Sequence, residues 1–138
     1  MVIFKKIVLV SVLLSVTFKA LAPSRESFTI FAPESVNPYK RLIYAIGMVE
    51  TKLDTFAYNP VEKAVGYFQI RPVRLEDYNK RTGRHYKMKD MYNYSIAEKI
   101  FLYYAQMAGP YNFDKIARRW NGSGPKTYLY WNRVKKYL

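Results

Sequence analysis

Apolar residues recur along this chain mainly at helical spacing. Leu42, Ala45, Ile46, Val49 and Leu53 share one face of a helix, and a period near 3.6 predicts that this face is buried. Asn37-Pro38 stands just ahead of them, a capping side chain followed by the residue best suited to a first helical position. From Asp54 to Val65 the pattern lapses, with a turn at Asn59-Pro60, and Gly66-Tyr67-Phe68-Gln69-Ile70 reads as strand-like or a tight turn. Arg71-Pro72 opens a second helix, which Gly83 ends. Arg84 to Tyr94 is basic and aromatic without a clear period. Ser95-x-x-Glu98 has the form of a capping box and introduces the most regular helix, Ile96 to about Ala108, which Gly109-Pro110 stops. A shorter helix is predicted over Asp114 to Trp120, then a break at Asn121-Gly122-Ser123-Gly124-Pro125. The last helix runs from Lys126 to Tyr137, with Arg133, Lys135 and Lys136 near its negative end. The pattern predicts a mainly α single compact domain over 37–138, with one small strand element near 58–70.

The first 22 residues obey another logic. Lys5 and Lys6 precede an apolar run from Ile7 to Val16, and Ala20-x-Ala22 closes it. A basic start, a short apolar core and small residues at the end match a secretory signal peptide. A membrane-spanning helix needs about 20 apolar residues, more than Lys6 and Lys19 allow here. Residues 23–36 show no sustained period and are expected to form an extended lead-in. The leader takes three of the chain's 23 basic residues and none of its ten acidic ones, leaving a net charge of +10.

Composition then narrows the classes. Tyrosines, phenylalanines and two tryptophans argue against disorder. With no cysteine, a disulfide scaffold, a thiolate zinc site, a thiol nucleophile and a lipid-anchored lipoprotein are all excluded. His85 is the only histidine and has no companions for a metal site, so no metal and no cofactor are expected. A leader with a basic product points to an anionic partner outside the cytoplasm, such as a wall polymer or membrane surface.

Glu50 carries the most chemical information. At helical spacing it projects between Ile43 and Ile46, on the flank of the apolar face and in the last turn. A carboxylate there is partly desolvated, which raises its pKa and keeps it protonated as a general acid must be. The plainer alternative is a boundary glutamate paired with Lys52 or Lys63.

The residues downstream of Glu50 favour the first reading. Glu50-Thr51, Gly66-Tyr67-Phe68-Gln69-Ile70 and Arg119-Trp120-Asn121-Gly122 stand in that order. The chain thereby resembles the lytic transglycosylases, lysozyme-like enzymes of bacterial peptidoglycan. Their pattern is Glu-Ser, then Gly-Leu-Met-Gln-Ile, then Ala-Tyr-Asn-Ala-Gly. The resemblance covers roughly residues 38–138 and implies an α+β lysozyme-like domain with a small strand and loop element lining a cleft. It implies Glu50 as catalytic acid and base, with Thr51, Gly66, Tyr67, Phe68, Gln69, Trp120 and Asn121 as substrate-binding residues. Gly66 would let the backbone approach the sugar. Trp120 departs from the family, where a tyrosine hydroxyl bonds the catalytic glutamate; an indole accepts no hydrogen bond, so a different glutamate orientation is expected.

The reaction implied is cleavage of the MurNAc–GlcNAc β-1,4 bond with a 1,6-anhydro-muramyl product and a single glutamate. Ordinary glycosidases use two carboxylates; between Glu50 and Gln69 the other candidates are Asp54 and Glu62, neither matched in the family pattern, and Asp54, four residues from Glu50, could serve as the second one in a hydrolytic muramidase. A non-catalytic wall-binding module is the third option, and an exported cationic protein binding nucleic acid or membranes the last. The expected partner is the peptidoglycan glycan strand and not nucleic acid. A monomer is expected, periplasmic or secreted; association with an envelope-spanning secretion or conjugation apparatus is compatible. Tyr58, Tyr67, Trp120, Tyr128, Tyr130 and Trp131 are candidates to stack on sugars, with Tyr67 and Trp120 favoured by the motifs. Phe101, Tyr103 and Tyr104 are expected in the core.

Overall fold

The first helix, α1, runs from Lys40 to Glu50 in the computed structural model of the chain, which describes residues 37–138. The expected leader and the 23–36 lead-in lie outside the described residues. Leu42, Ile43, Ala45 and Ile46 are buried on one face of α1, as the periodicity predicts. Asn37 makes a turn rather than a helix cap: its side chain accepts from the Tyr39 amide at 2.9 Å and its carbonyl from Lys40 at 3.0 Å. The helix therefore starts later than Asn37-Pro38 predicts. At its far end Lys52 and Leu53 take positive φ values of 57° and 71°, and the Leu53 amide donates to the Gly47 carbonyl at 3.1 Å. That winds the chain out of the helix directly after Glu50. Leu53, expected on the buried face, is exposed.

Two short strands come next. β1 (Tyr58–Asn59) and β2 (Ala64–Val65) pair antiparallel, with Tyr58 opposite Val65 and Asn59 opposite Ala64. The Asn59 side chain closes their loop by accepting from Val61 at 3.0 Å and Glu62 at 3.3 Å. Val65 and Ile70 then exchange both backbone hydrogen bonds at 3.0 Å, so residues 66–69 form a tight turn rather than a strand. α2 (Pro72–Thr82) begins at its proline and ends at Gly83, left-handed with φ 67°, as predicted.

The basic stretch contains one 3₁₀ turn, Met88–Tyr92. α3 (Tyr94–Ala108) is capped by Asn93, whose side chain accepts from the Ile96 amide at 3.3 Å. The predicted capping box does not form, because Asn93 supplies the cap earlier and leaves Ser95 inside the first turn. Glu98 accepts instead from the Tyr94 hydroxyl at 3.2 Å. α4 (Phe113–Asn121) is capped by Asn112, which accepts from Lys115 at 2.9 Å. α5 (Lys126–Val134) continues as a 3₁₀ turn over Lys135–Tyr137. The described residues thus form a mainly helical domain of five α-helices and one two-stranded sheet.

α3 supplies the centre of the core through Ala97, Ile100, Phe101, Ala105 and Ala108. Phe68 stacks on Phe101 at 4.8 Å, and Trp120 meets the same ring edge-on at 5.0 Å. α5 packs against α1 and α4. Phe101 is buried as expected, while Tyr103 and Tyr104 are only partly so.

Gly47 on α1 has a role that helical periodicity does not reveal. Its missing side chain leaves room for the Tyr67 ring, which a Cβ there would overlap. Tyr67 crosses the helix at this point and donates its hydroxyl to the Ile43 carbonyl at 3.3 Å. Alanine normally stabilises a helix interior relative to glycine by about 1 kcal/mol. Here Gly47→Ala is expected to reverse that sign and destabilise by about 1–3 kcal/mol through overpacking. In a Tyr67→Ala background the same substitution should be neutral or stabilising, read from urea unfolding of the four proteins.

Candidate active site

Glu50 is the last residue of α1, where the chain leaves the helix, and its side chain is only partly exposed. The Tyr130 hydroxyl, brought across by α5, donates to Glu50 Oε1 at 2.7 Å. Burial is the main influence on the carboxyl and raises its pKa; the Tyr130 bond and the charges of Arg133 and Arg71 pull the other way, and Glu62 adds a smaller rise. The net direction is upward. Burial, with the Glu50 charge second, holds the Tyr130 phenol well above its own ordinary range, so it keeps its proton as donor. With Oε1 accepting that bond, the carboxyl proton of Glu50 belongs on Oε2. The arrangement is an acid with one oxygen held by the protein and the other available.

The neighbouring residues mostly build the support. Thr51 Oγ1 lies 3.3 Å from both the Gly47 and Tyr67 carbonyls, so its one proton ties the end of α1 to the 66–69 turn. Gly66, with φ 76°, is required because a Cβ would overlap the Met91 carbonyl. The close approach foreseen for a sugar is therefore made by the protein's own backbone. Tyr67 and Phe68 are buried and present no face to a ligand. Gln69 is partly exposed at a left-handed φ of 49°, and its amide nitrogen donates to the Gly66 carbonyl at 3.0 Å.

Trp120 is buried, and its indole nitrogen donates to the Phe68 carbonyl at 3.1 Å. It locks α4 to the turn and is not the partner of Glu50. A phenol does meet Glu50, but it is Tyr130 from the next helix that supplies it. Asn121 is partly exposed at the end of α4, and its carbonyl accepts from Arg71 Nη2 at 2.8 Å. Arg74 Nη1 donates to the Trp120 carbonyl at 2.8 Å while its guanidinium lies 4.0 Å from the Trp120 ring centre. Two arginines thus satisfy the free carbonyls at the negative end of α4.

Tyr130, Arg71 and Arg74 are the residues that sequence reasoning assigned wrongly or passed over. Thr127, Tyr130 and Val134 form the buried face of α5. A tyrosine on such a face needs a partner for its hydroxyl, which was the available signal. Of the other candidate stacking residues, Tyr58 on the hairpin and Tyr128 are exposed, Tyr128 with the Arg118 guanidinium 3.8 Å from its ring centre. Trp131 is half-buried. Asp54 is exposed and accepts from its own loop at the Phe56 amide, 2.8 Å.

A concavity of about 410 Å³ lies away from Glu50, among α2, α3 and α4, and is lined by Val73, Arg74, Asp77, Tyr104, Met107 and Trp120 among others. Its carboxylate, Asp77, is held below the ordinary range by the Tyr104 hydroxyl and by Arg81, which suits an ion pair and not a proton donor. Of these two carboxyls only Glu50 is shifted upward. Among the described residues no cluster of His, Asp and Glu could hold a metal ion, and His85 is exposed. Comparison with family models, curated proteins and solved structures returns no match.

The electrostatics give two measurable consequences. In wild type, the Glu50 carboxyl followed by NMR should titrate above an ordinary glutamate, and Tyr130→Phe should move its midpoint higher, because the lost bond favoured the charged form. A carboxyl whose folded pKa is raised also binds more protons in the native state, so its contribution to stability falls as pH rises above the unfolded value. Glu50→Gln, which keeps an acceptor for Tyr130, should therefore gain in melting temperature over wild type between pH 4 and pH 8, with the smallest difference at the acid end.

Proposed function

We propose that this protein is an exported, lysozyme-like lytic transglycosylase of peptidoglycan, with Glu50 as its catalytic acid and base. The observation that carries the reading is the Glu50–Tyr130 pair. It provides one protonatable carboxyl, raised in pKa and oriented through Oε1, at the junction of α1 and the 66–69 turn. The same order of Glu50-Thr51, the Gly66–Ile70 turn and Trp120-Asn121 gives the resemblance its residues. In this mechanism Glu50 Oε2 protonates the glycosidic oxygen as the bond to the muramyl C1 breaks. The substrate's acetamido group stabilises the cationic centre. Glu50, now a carboxylate, then takes the proton of the 6-hydroxyl of the same sugar as that oxygen closes on C1. No water is consumed.

The phenol bond to Glu50 also weighs against a binding module without activity, because the departure at Trp120 no longer leaves the glutamate without a tyrosine partner. Hydrolysis by a muramidase mechanism is the second reading; Glu62 on the β1–β2 loop, 3.7 Å from Arg71, and Asp54 are the carboxylates near the end of α1 and the turn that it would draw on.

Glu50→Gln is expected to abolish clearing of purified wall, by about 10²-fold or more, while circular dichroism and melting show an intact fold. Full clearing by that variant would end the proposal. Mass spectrometry of wild-type products should show muramyl ends one water lighter than reducing ends. Reducing ends alone would move the assignment to the muramidase.

A further inference from the structure

Arg71 and Arg74 bring two guanidinium groups together beside Glu50 with little negative charge to balance them. Arg71 depresses the pKa of Arg74, second only to burial, so the two charges face one another. Arg74 is fully engaged: Nη1 on the Trp120 carbonyl at 2.8 Å, Nη2 toward the Arg119 carbonyl at 3.4 Å, and its plane over the Trp120 ring. Arg71 is not. Its Nη2 serves the Asn121 carbonyl at 2.8 Å, and its Nη1 meets only Glu62, at 3.7 Å. A charge-assisted hydrogen bond lies near 2.7–2.9 Å, so this ion pair is a loose approach. The side chains of Arg71 and Glu62 are 36% and 50% exposed, which makes the pair weak and easily exchanged. The charge of Glu50 acts on Arg74 less than that of Arg71 does.

Glu62 is held in the β1–β2 loop by its backbone amide, bonded to the Asn59 side chain at 3.3 Å. Its carboxylate can rotate away without disturbing the hairpin. Arg71 itself cannot drift, being fixed at Nη2 and placed two residues after Gln69 at the start of α2.

We propose that Arg71, at the start of α2 and facing the β1–β2 loop, is a carboxylate-binding subsite, which Glu62 occupies in the free protein and which the substrate's own carboxylate takes over. The proposal rests on the wall-glycan reading and sharpens it: the substrate is a glycan that carries a carboxylate on its muramyl sugar, through the lactyl group or the peptide stem, and neutral glycans are discriminated against.

The test uses the Glu50→Gln protein, so that binding is read apart from cleavage, with three glycans of equal length: peptide-bearing peptidoglycan strands, amidase-stripped strands that keep only the lactyl carboxylate, and neutral chitin oligosaccharide. The strand that carries the recognised carboxylate should bind about 10-fold more tightly than chitin, the worth of one charge-assisted contact. Adding Arg71→Gln should remove that difference and leave chitin affinity unchanged. Adding Glu62→Gln should tighten binding of the carboxylate-bearing glycan several-fold while leaving chitin unaffected. The lactyl carboxyl is an amide in peptide-bearing strands and free only in stripped ones, so Arg71 dependence on peptide-bearing strands assigns a stem carboxylate, and dependence confined to stripped strands assigns the lactyl carboxylate. Equal weakening on all three glycans by Arg71→Gln, or weaker binding by Glu62→Gln, overturns the proposal. So does an equal loss from Lys115→Gln, an exposed charge elsewhere, which would show a net-charge effect. Should Arg71→Gln unfold, the Glu62→Gln result decides alone. Charge-dependent binding by a wild-type protein that cleaves no wall would remove the glycosidic reading and leave the subsite standing.

Discussion

The 66–69 turn is buried, and burying a turn requires a partner for each of its backbone polar groups. This chain finds partners within the turn and in three segments outside it. The Gly66 amide donates to Ala57, while the Gly66 carbonyl accepts from the amide and side chain of Gln69. The Tyr67 carbonyl accepts from Thr51 at the end of α1, and the Phe68 carbonyl from the Trp120 indole on α4. Side chains leave the turn in diverging directions: Tyr67 across Gly47, Phe68 onto Phe101, with no space at Gly66 because Met91 fills it. A turn held in this way fixes α1, α3 and α4 relative to one another. The position of Glu50 is a consequence, since the helix that bears it ends where Thr51 is tied down.

That geometry sets the electrostatics. A glutamate at the frayed end of a free helix would be hydrated and ordinary. Here the turn on one side and α5 on the other take water from most of the carboxyl, and Tyr130 holds one oxygen. The desolvation raises the pKa, and the phenol limits the rise while fixing orientation. The nearby cations are committed first to structure. Arg71 and Arg74 cap the carbonyls at the end of α4, so their charges moderate Glu50 from a distance without a direct ion pair that would hold it ionised. A direct pair would have lowered its pKa and removed the acid form.

Local patterns were legible wherever a residue's role is decided by its sequence neighbours. The proline start and glycine stop of α2 and the Gly109-Pro110 stop of α3 stand as read, and the break expected from Asn121 begins one residue later, because cap and turn chemistry acts within a few residues. Boundaries failed where two local solutions competed. Asn93 displaced Ser95 as the cap of α3, and Asn37 closed a turn instead of a helix. Leu53 failed for a different reason: the bond from its amide to Gly47 and two left-handed residues end α1 before the apolar stripe does.

The sequence by itself determined a mainly helical domain, a short hairpin and turn between its first two helices, and Glu50 on the flank of a buried face. Those features arise from periodicity and from residues whose backbone preferences are local. Only the tertiary structure decided which groups meet Glu50. Tyr130 lies 80 residues away in sequence and Trp120 lies 52 from Phe68, and side-chain hydrogen bonds over such separations leave no periodic trace. The same is true of Gly47, whose purpose is visible only once Tyr67 is laid across it. Contacts of that kind are chosen by how helices pack, and packing is settled by the fit of whole surfaces rather than by the pattern along any one of them.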